Sequence, residues 1–393
     1  MKKIVLVIAC SCFSMVVGAQ STIPEILESI EQNNYSLKSL RAQTDAIVLK
    51  NKTGLNPSNP QVEYIYQWGN KSQAGNKQEF HIRQSFDFPT AYRYRKQMTE
   101  SMSEKAERDY LNAYNIVMLD AQCILFRLIF QEALIQEYSQ RLKHAETIAR
   151  AFHAKFDEGD ANILERNKAD INLLNAQNKL AELRSEYELL NERLQSLNGG
   201  KQLEITFVNW PLLILPTDFD DWFNANADII PEIQSLQEGV DANRYREKLN
   251  KALSLPKLTG GYSSESDEID KFKGVNVGLT IPLWENKNTV KQAKLNTIAI
   301  ENELEDKRLQ LYHGLKALYA KTKNRQIVAG NYRQSLKTMN NVTILETALE
   351  AGQITILEYM MEQSIYYTTI ENALNAELES QLSYAQMMAF QIY

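Results

Sequence analysis

Two carboxylates stand in matching surroundings. In FDEGDANILE, residues 156–165, and LEAGQITILE, residues 349–358, Gly159 aligns with Gly352, Ile163 with Ile356, Leu164 with Leu357 and Glu165 with Glu358. Acidic side chains gathered at one level attract cations and hold multivalent ones across several carboxylates at once. The competing duty for a glutamate just past a helix start is to favour the helix N-terminus electrostatically. A second set of charges, Glu79, His81, Arg83 and Asp87, alternates with Phe80, Ile82, Phe86 and Phe88 in EFHIRQSFDF. Nothing else has the spacing that chemistry needs. His81, His144, His153 and His313 are isolated, with no second His at i+4 and no Cys/His cluster, so no metal site is expected. No G-x-S-x-G, P-loop or dinucleotide fingerprint occurs, so neither a catalytic residue nor a cofactor is expected. Charge runs such as residues 301–308 read as solvated helix faces, and the pair Tyr366 and Tyr367 as seam and surface positions.

Long helices must position these groups. The chain has 393 residues, 44% hydrophobic and 23% charged, with only 15 Gly and 9 Pro, too few turn formers for a sandwich. From Met98, apolar residues recur at steps of three and four: Met102, Ala106, Tyr110, Ala113, Val117, Ala121, Ile124, Leu128, Ile135, Tyr138, Leu142, Ala145, Ala149, Phe152 and Phe156, with Gln131 the one polar seam position. Such a seam predicts one helix about 90 Å long at about 1.5 Å per residue. Gly159 breaks it, a second helix runs over 163–197, and the Asn198-Gly199-Gly200 run ends that.

The second half repeats the plan, which points to an internal duplication. The first repeat spans 20–198, with a helix, strands near 60–69 and 78–88, a long helix over 92–156, a tip at 157–162 and a helix over 163–197. An irregular packed connector follows at 199–230. The second repeat spans 231–393, with a helix, strands near 256–264 and 273–283, a long helix over 286–350, a tip at 350–355 and a helix over 355–390. Residues 1–19 read as a secretory signal peptide: Lys2 and Lys3, an apolar run, then Val17 and Ala19 at the cleavage pattern. A lipid on Cys10 is the lesser alternative. Cleavage after Ala19 leaves Cys123 as the one cysteine, buried filler on a helix, and makes a chain of net charge −6 more acidic still, against nucleic acid as a partner.

The strands have two unlike faces. Val62, Tyr64, Tyr66 and Trp68 alternate with Glu63 and Gln67, and Val275, Val277, Leu279, Ile281 and Leu283 alternate with Asn276, Gly278 and Thr280. Strands of about ten residues cross a bilayer when tilted, so the aromatic faces are expected to meet lipid and the charged faces water. On this reading Glu79, His81, Arg83 and Asp87 face a lumen, while Tyr64, Tyr66, Trp68, Phe86, Phe88 and Trp284 face lipid or its interfaces. Four strands cannot close a barrel, so the chain must oligomerise.

These features resemble the TolC-like outer-membrane efflux proteins, including the cation-efflux members of the CusC and CzcC type. The resemblance covers almost all of the mature chain and rests on the duplicated element order, the Gly-centred tips, VGLTIPLW at 277–284 as the strand leading into the longest helix, and QSFDFPTAYRYRKQ at 84–97 as its first-repeat counterpart. It implies a mainly α fold with a small membrane β-barrel: a homotrimer whose twelve strands close one barrel, continued by a tunnel of long antiparallel coiled-coil helices across the periplasm. It further implies a passive exit duct in the outer membrane, no enzyme, fed by an inner-membrane pump of the RND type through a periplasmic adaptor (membrane fusion protein) and exporting metal cations or drugs. Gly159, Asp160, Gly352 and Gln353 would then form the adaptor-docking tip, and Glu165 and Glu358 the gate carboxylates. Met361 stands where the family sometimes carries a second acid. The alternatives are a periplasmic coiled-coil scaffold and the exit duct of a type I secretion system.

Overall fold

A computed structural model describes residues 22–70, 75–203, 210–338 and 342–391. The signal-peptide and Cys10 expectations lie outside the described residues. Helix α1 (Ile23–Asn33) opens on a capping box, with the Thr22 N–H donating to the Glu25 carboxylate at 2.8 Å. It meets α2 (Tyr35–Asn51) at Asn34, whose side-chain oxygen accepts the Leu37 N–H at 2.9 Å, so the single expected helix is two. The antiparallel strands β1 (Gln61–Gln67) and β2 (Lys77–Phe86) lead to α3 (Pro89–Asp157), entered by a proline at its start, where a missing N–H costs nothing. At 69 residues α3 is about 100 Å long. A glycine turn reverses the chain into α4 (Ile163–Leu197).

The second half runs in the same order. Helix α5 (Phe219–Asn226) gives the connector a helical core that its mixed composition did not suggest; Asp218 caps it by accepting the Asp221 N–H at 2.9 Å. Then follow α6 (Pro231–Leu253), β3 (Lys257–Ser266), β4 (Lys271–Thr280), α7 (Thr289–Thr338), α8 (Val342–Glu350) and α9 (Ile356–Met387). Residues 339–341, within the span expected as one helix, lie outside the described residues. The fold is thus mainly helical with one small antiparallel sheet, ordered β1-β2-β3-β4.

The packing has two storeys. Near the sheet, α2 lies on α3, α3 on α6 and α6 on α7; toward the glycine turns, α4 lies on α3, α3 on α9 and α9 on α7. Helices α3 and α7 run through both storeys. Midway, α3 is buried on more than its predicted seam: Cys123, Leu125, Phe126 and Ile129 are buried along with Ala121, Ile124 and Leu128, because α1, α4 and the connector's Trp210 cover its other sides. A second core joins Phe219 and Phe223 of α5 to Ile233, Val240, Leu304, Leu315 and Met387. Helix α4 forms one outer edge of the lower storey and α7 an outer edge of both storeys, and each leaves apolar residues exposed: Leu164, Ile171, Leu174 and Leu189 on α4, Leu295, Ile298 and Leu309 on α7 beside α6, and Ile327 beyond them.

Candidate functional site: a two-faced sheet and a paired helix tip

Cross-strand register decides whether alternation within a strand becomes a face of the sheet. Here Val62 lies opposite Ile82, Ile82 opposite Tyr262, and Tyr262 opposite Val275; four residues along, on the same face, Phe86, Leu258 and Leu279 form another row. Apolar positions of all four strands therefore share one face, and that face is bare, Val275 at 81% and Val277 at 87% exposure. Trp68 and Trp284 stand at opposite ends of the band, both largely exposed, as interfacial girdles do. The other face carries charge. Lys77 pairs with Glu79 at 2.9 Å and with Glu265 across the strands at 2.7 Å, and His81 Nε2 lies 3.1 Å from Glu79. Arg83 lies opposite Gly261, where an added Cβ would come within 2.6 Å of the Ile82 carbonyl oxygen. Among the described residues, strands β1 and β4 are unpaired on their outer edges.

The strands end sooner than their alternation suggested. Beyond β2, Asp87 is withdrawn from the charged strand face: its carboxylate accepts Arg95 Nη2 at 2.7 Å, and its N–H donates to the Tyr92 hydroxyl at 3.0 Å, fastening sheet to helix. Phe88 is the N-cap of α3, and Ile281, Leu283 and Trp284 follow the last residue of β4.

At the far end of the helices the two glycine turns are built alike. Gly159 has φ +84° and Gly352 φ +68°, left-handed conformations that favour glycine. The Gly159 N–H donates to the Phe156 oxygen at 3.1 Å and the Asp160 N–H to the Lys155 oxygen at 2.7 Å; the Gly352 N–H donates to Leu349 at 3.1 Å and the Gln353 N–H to Ala348 at 2.8 Å. Both are Schellman closures. Three residues past each glycine stands an N-cap, Asn162 or Thr355, and three past that Glu165 or Glu358 completes a capping box. Glu165 accepts the Asn162 N–H at 2.9 Å, and Glu358 accepts both the Thr355 N–H at 2.8 Å and its hydroxyl at 2.9 Å. These bonds, the backbone one foremost, hold the Glu358 carboxyl below its ordinary value. Both glutamates therefore have the helix-start duty weighed as the alternative to a cation ring. The turns are packed together by Ile148, Ala149, Phe152, Ala169, Ile356 and Tyr359.

One cluster was not visible in the sequence. Arg141 of α3, only 8% exposed, donates to Glu371 at 2.5 Å, to Glu137 at 3.3 Å and to the Tyr367 carbonyl oxygen at 3.1 Å, with the Tyr138 and Tyr367 rings at 4.1 and 4.0 Å on its guanidinium. Burial and the bond to Glu371 push the Tyr138 hydroxyl up to about 12. The cluster ties α3 to α9 beside a groove of about 800 Å³ between α3, α4 and α9. Tyr367 is thus a cation-clasping residue rather than a plain seam position. Arg141 lies 226 residues from Tyr367 and 230 from Glu371 in sequence, with no local pattern to announce the pairing.

No protein-family model matches the chain, and no curated protein matches it. Solved structures do. CusC, described with its conformational changes on folding and transmembrane channel formation, superposes with a TM-score of 0.79 at 14% identity over 94% of this chain and 91% of its own. The CmeC outer-membrane channel of Campylobacter jejuni gives 0.78 at 17% identity, covering 94% and 85%. The open state of the MtrE outer-membrane channel of Neisseria gonorrhoeae gives 0.77 at 13% identity, covering 94% and 88%. At such identities the likeness is one of fold, and this chain has the fold of the TolC-like outer-membrane efflux channels.

Proposed function

We propose that the chain is one subunit of an outer-membrane efflux channel, a passive duct that does no chemistry and exports what an inner-membrane pump delivers through a periplasmic adaptor. One observation carries the reading: register joins the apolar positions of four strands into a single bare face, backed by a charged face, in a sheet with two edges left open among the described residues. Such a sheet in lipid must close on copies of itself, because unpaired edge groups cannot be satisfied there. Three copies give the twelve strands that the resemblance implies. The exposed stripes on α4 and α7 supply the matching helical edges, so the tunnel closes by the same symmetry. Metal cations or drugs are the substrates and an RND-type pump the motor in this reading.

Cysteines placed singly test the sheet and the tip. Those at Glu79 or Arg83 should react with a membrane-impermeant hydrophilic thiol reagent in intact outer membranes at least about tenfold faster than those at Ile82 or Phe86, whose thiols would sit in hydrocarbon. Equal labelling of the two pairs would refute the barrel. Cysteines at Asp160 and Gln353, beside Gly159 and Gly352, should crosslink to the adaptor; efflux-competent cells without that crosslink would place docking elsewhere.

Glu165 and Glu358 are assigned a second duty beyond capping, as up to six carboxylates around the axis where the tunnel narrows. Glutamine at this helix position still accepts the N-cap N–H, so Glu→Gln removes charge while keeping the cap. Submillimolar trivalent cation on the periplasmic side should block the wild-type conductance, and Glu358→Gln should weaken that block about tenfold. Unchanged block in the Glu165→Gln/Glu358→Gln double variant would put both groups outside the lumen.

A further inference from the structure

All helical connections leave one end of the sheet, so the β3–β4 turn and the last residues of β1 mark the opposite, outward end. Near that end the polarity of β4 inverts. Register places Lys271 in the row of Ser266, Gln78 and Tyr66, and Lys273 in the row of Ser264, Phe80 and Tyr64. Both lysines therefore share the face of Val275, Val277 and Leu279, while Phe272 between them sits on the charged face opposite Glu265. Every residue of β4 is exposed.

A pore wall built only for water inside and hydrocarbon outside would place these residues the other way round. The contrast with Lys77 sharpens the point: that lysine, on the inner face at the same end, is held by two carboxylates, whereas Lys271 and Lys273 have no ion-pair partner among the described residues. Two free cations directly above an apolar run match the profile of an outer leaflet, with anionic head groups above acyl chains. Tyr64 and Tyr66 lie on the same face of the other edge strand at the same end, and Trp68 follows just beyond that strand with its ring 5.2 Å from the Tyr66 ring. Barrel closure would bring that edge beside β4 of a neighbouring copy and add hydroxyl and indole donors to the two ammonium groups.

We infer that Lys271 and Lys273, completed by Tyr64, Tyr66 and Trp68 of the adjoining copy, form a binding site for the phosphorylated head group of an outer-leaflet glycolipid. The inference rests on the channel reading above.

The test is a native mass-spectrometry titration of the full-length oligomer, purified from outer membranes in detergent, with diphosphoryl lipid A. Lysine near an anionic surface contributes roughly fivefold each, so Lys271→Gln/Lys273→Gln should bind the lipid at least about tenfold more weakly. Lys271→Arg/Lys273→Arg should retain binding. Lys257→Gln, on the charged face at the helical end of β3, should change nothing. Binding should fall with a dephosphorylated lipid A and should withstand competition by millimolar inorganic phosphate, which lacks the acyl chains. Equal binding by wild type and the double glutamine variant, or displacement by inorganic phosphate, overturns the site while leaving the channel intact. A wild-type chain recovered from membranes without detergent overturns the channel reading and the site with it.

Discussion

Val277→Arg will prevent stable assembly in the outer membrane, whereas Asn276→Arg, its sequence neighbour, will not. Val277 lies in the middle of the apolar run of β4, at 87% exposure and opposite Gly260, so no side chain among the described residues shields it from its surroundings. In a lipid-facing position near the bilayer midplane an arginine costs about 2–4 kcal/mol per copy, and a symmetric oligomer incurs the cost in every copy. Set against stabilities of about 5–15 kcal/mol, that is enough to empty the assembled state. Asn276 points to the charged face, where its side-chain oxygen lies 3.2 Å from the Ser263 hydroxyl; an arginine there meets water and alters conductance instead. The comparison is read as the fraction of heat-resistant oligomer recovered from outer membranes. Equal losses for the two variants would mean that β4 does not separate lipid from lumen.

Glycine replacement should show that similar backbone conformations carry unequal costs. Gly199, Gly159 and Gly352 all have positive φ, at +66°, +84° and +68°. Around Gly159 and Gly352 an added Cβ meets nothing within 4 Å, so alanine there should cost only the backbone preference, about 1 kcal/mol. At Gly199 the same atom would stand 2.7 Å from the Asn33 backbone oxygen. That oxygen cannot swing away, because the α1–α2 junction is tied to the end of α4: Asn34 Nδ2 donates to the Leu197 oxygen at 2.8 Å, and Ser29 Oγ and Asn33 Nδ2 donate to Asn198 Oδ1 at 3.0 and 3.2 Å. Displacing it adds an overpacking cost of about 1–3 kcal/mol, so Gly199→Ala should lose roughly 2–4 kcal/mol in all. Thermal unfolding in detergent should rank Gly199→Ala well below Gly159→Ala and Gly352→Ala. Matching shifts for the three would show that α1 yields freely, contrary to its hydrogen bonding.

The elements and their order were legible before any fold was known, because those follow from short-range rules. A period of two with aromatic residues marks β1 and β2, steps of three and four mark α3, and glycine after a helical run marks the turns at Gly159 and Gly352. Even the capping boxes were written locally, as Asn162 or Thr355 three residues before Glu165 or Glu358. The helix-start duty expected of those glutamates takes a specific form, since each closes a capping box. Boundaries were less legible: β2 and β4 stop at Phe86 and Thr280 although apolar alternation continues, because pairing with β3 ends there. Asp87 belongs to Arg95 rather than to the strand face for the same reason.

Which residues meet was set by long-range packing and strand pairing. Register across β2 and β3 joins segments about 180 residues apart, and a slip of one residue would have sent Ile82 and Tyr262 to opposite faces. The Arg141 cluster likewise depends on α3 and α9 crossing at one level, which their heptads permit at many. The outward lysines of β4 show the same division. The period of two by itself puts Lys271 and Lys273 on the side of Val275 and Val277, but that Tyr64, Tyr66 and Phe80 share that side was settled by pairing through β3, which carries no trace in local residue patterns.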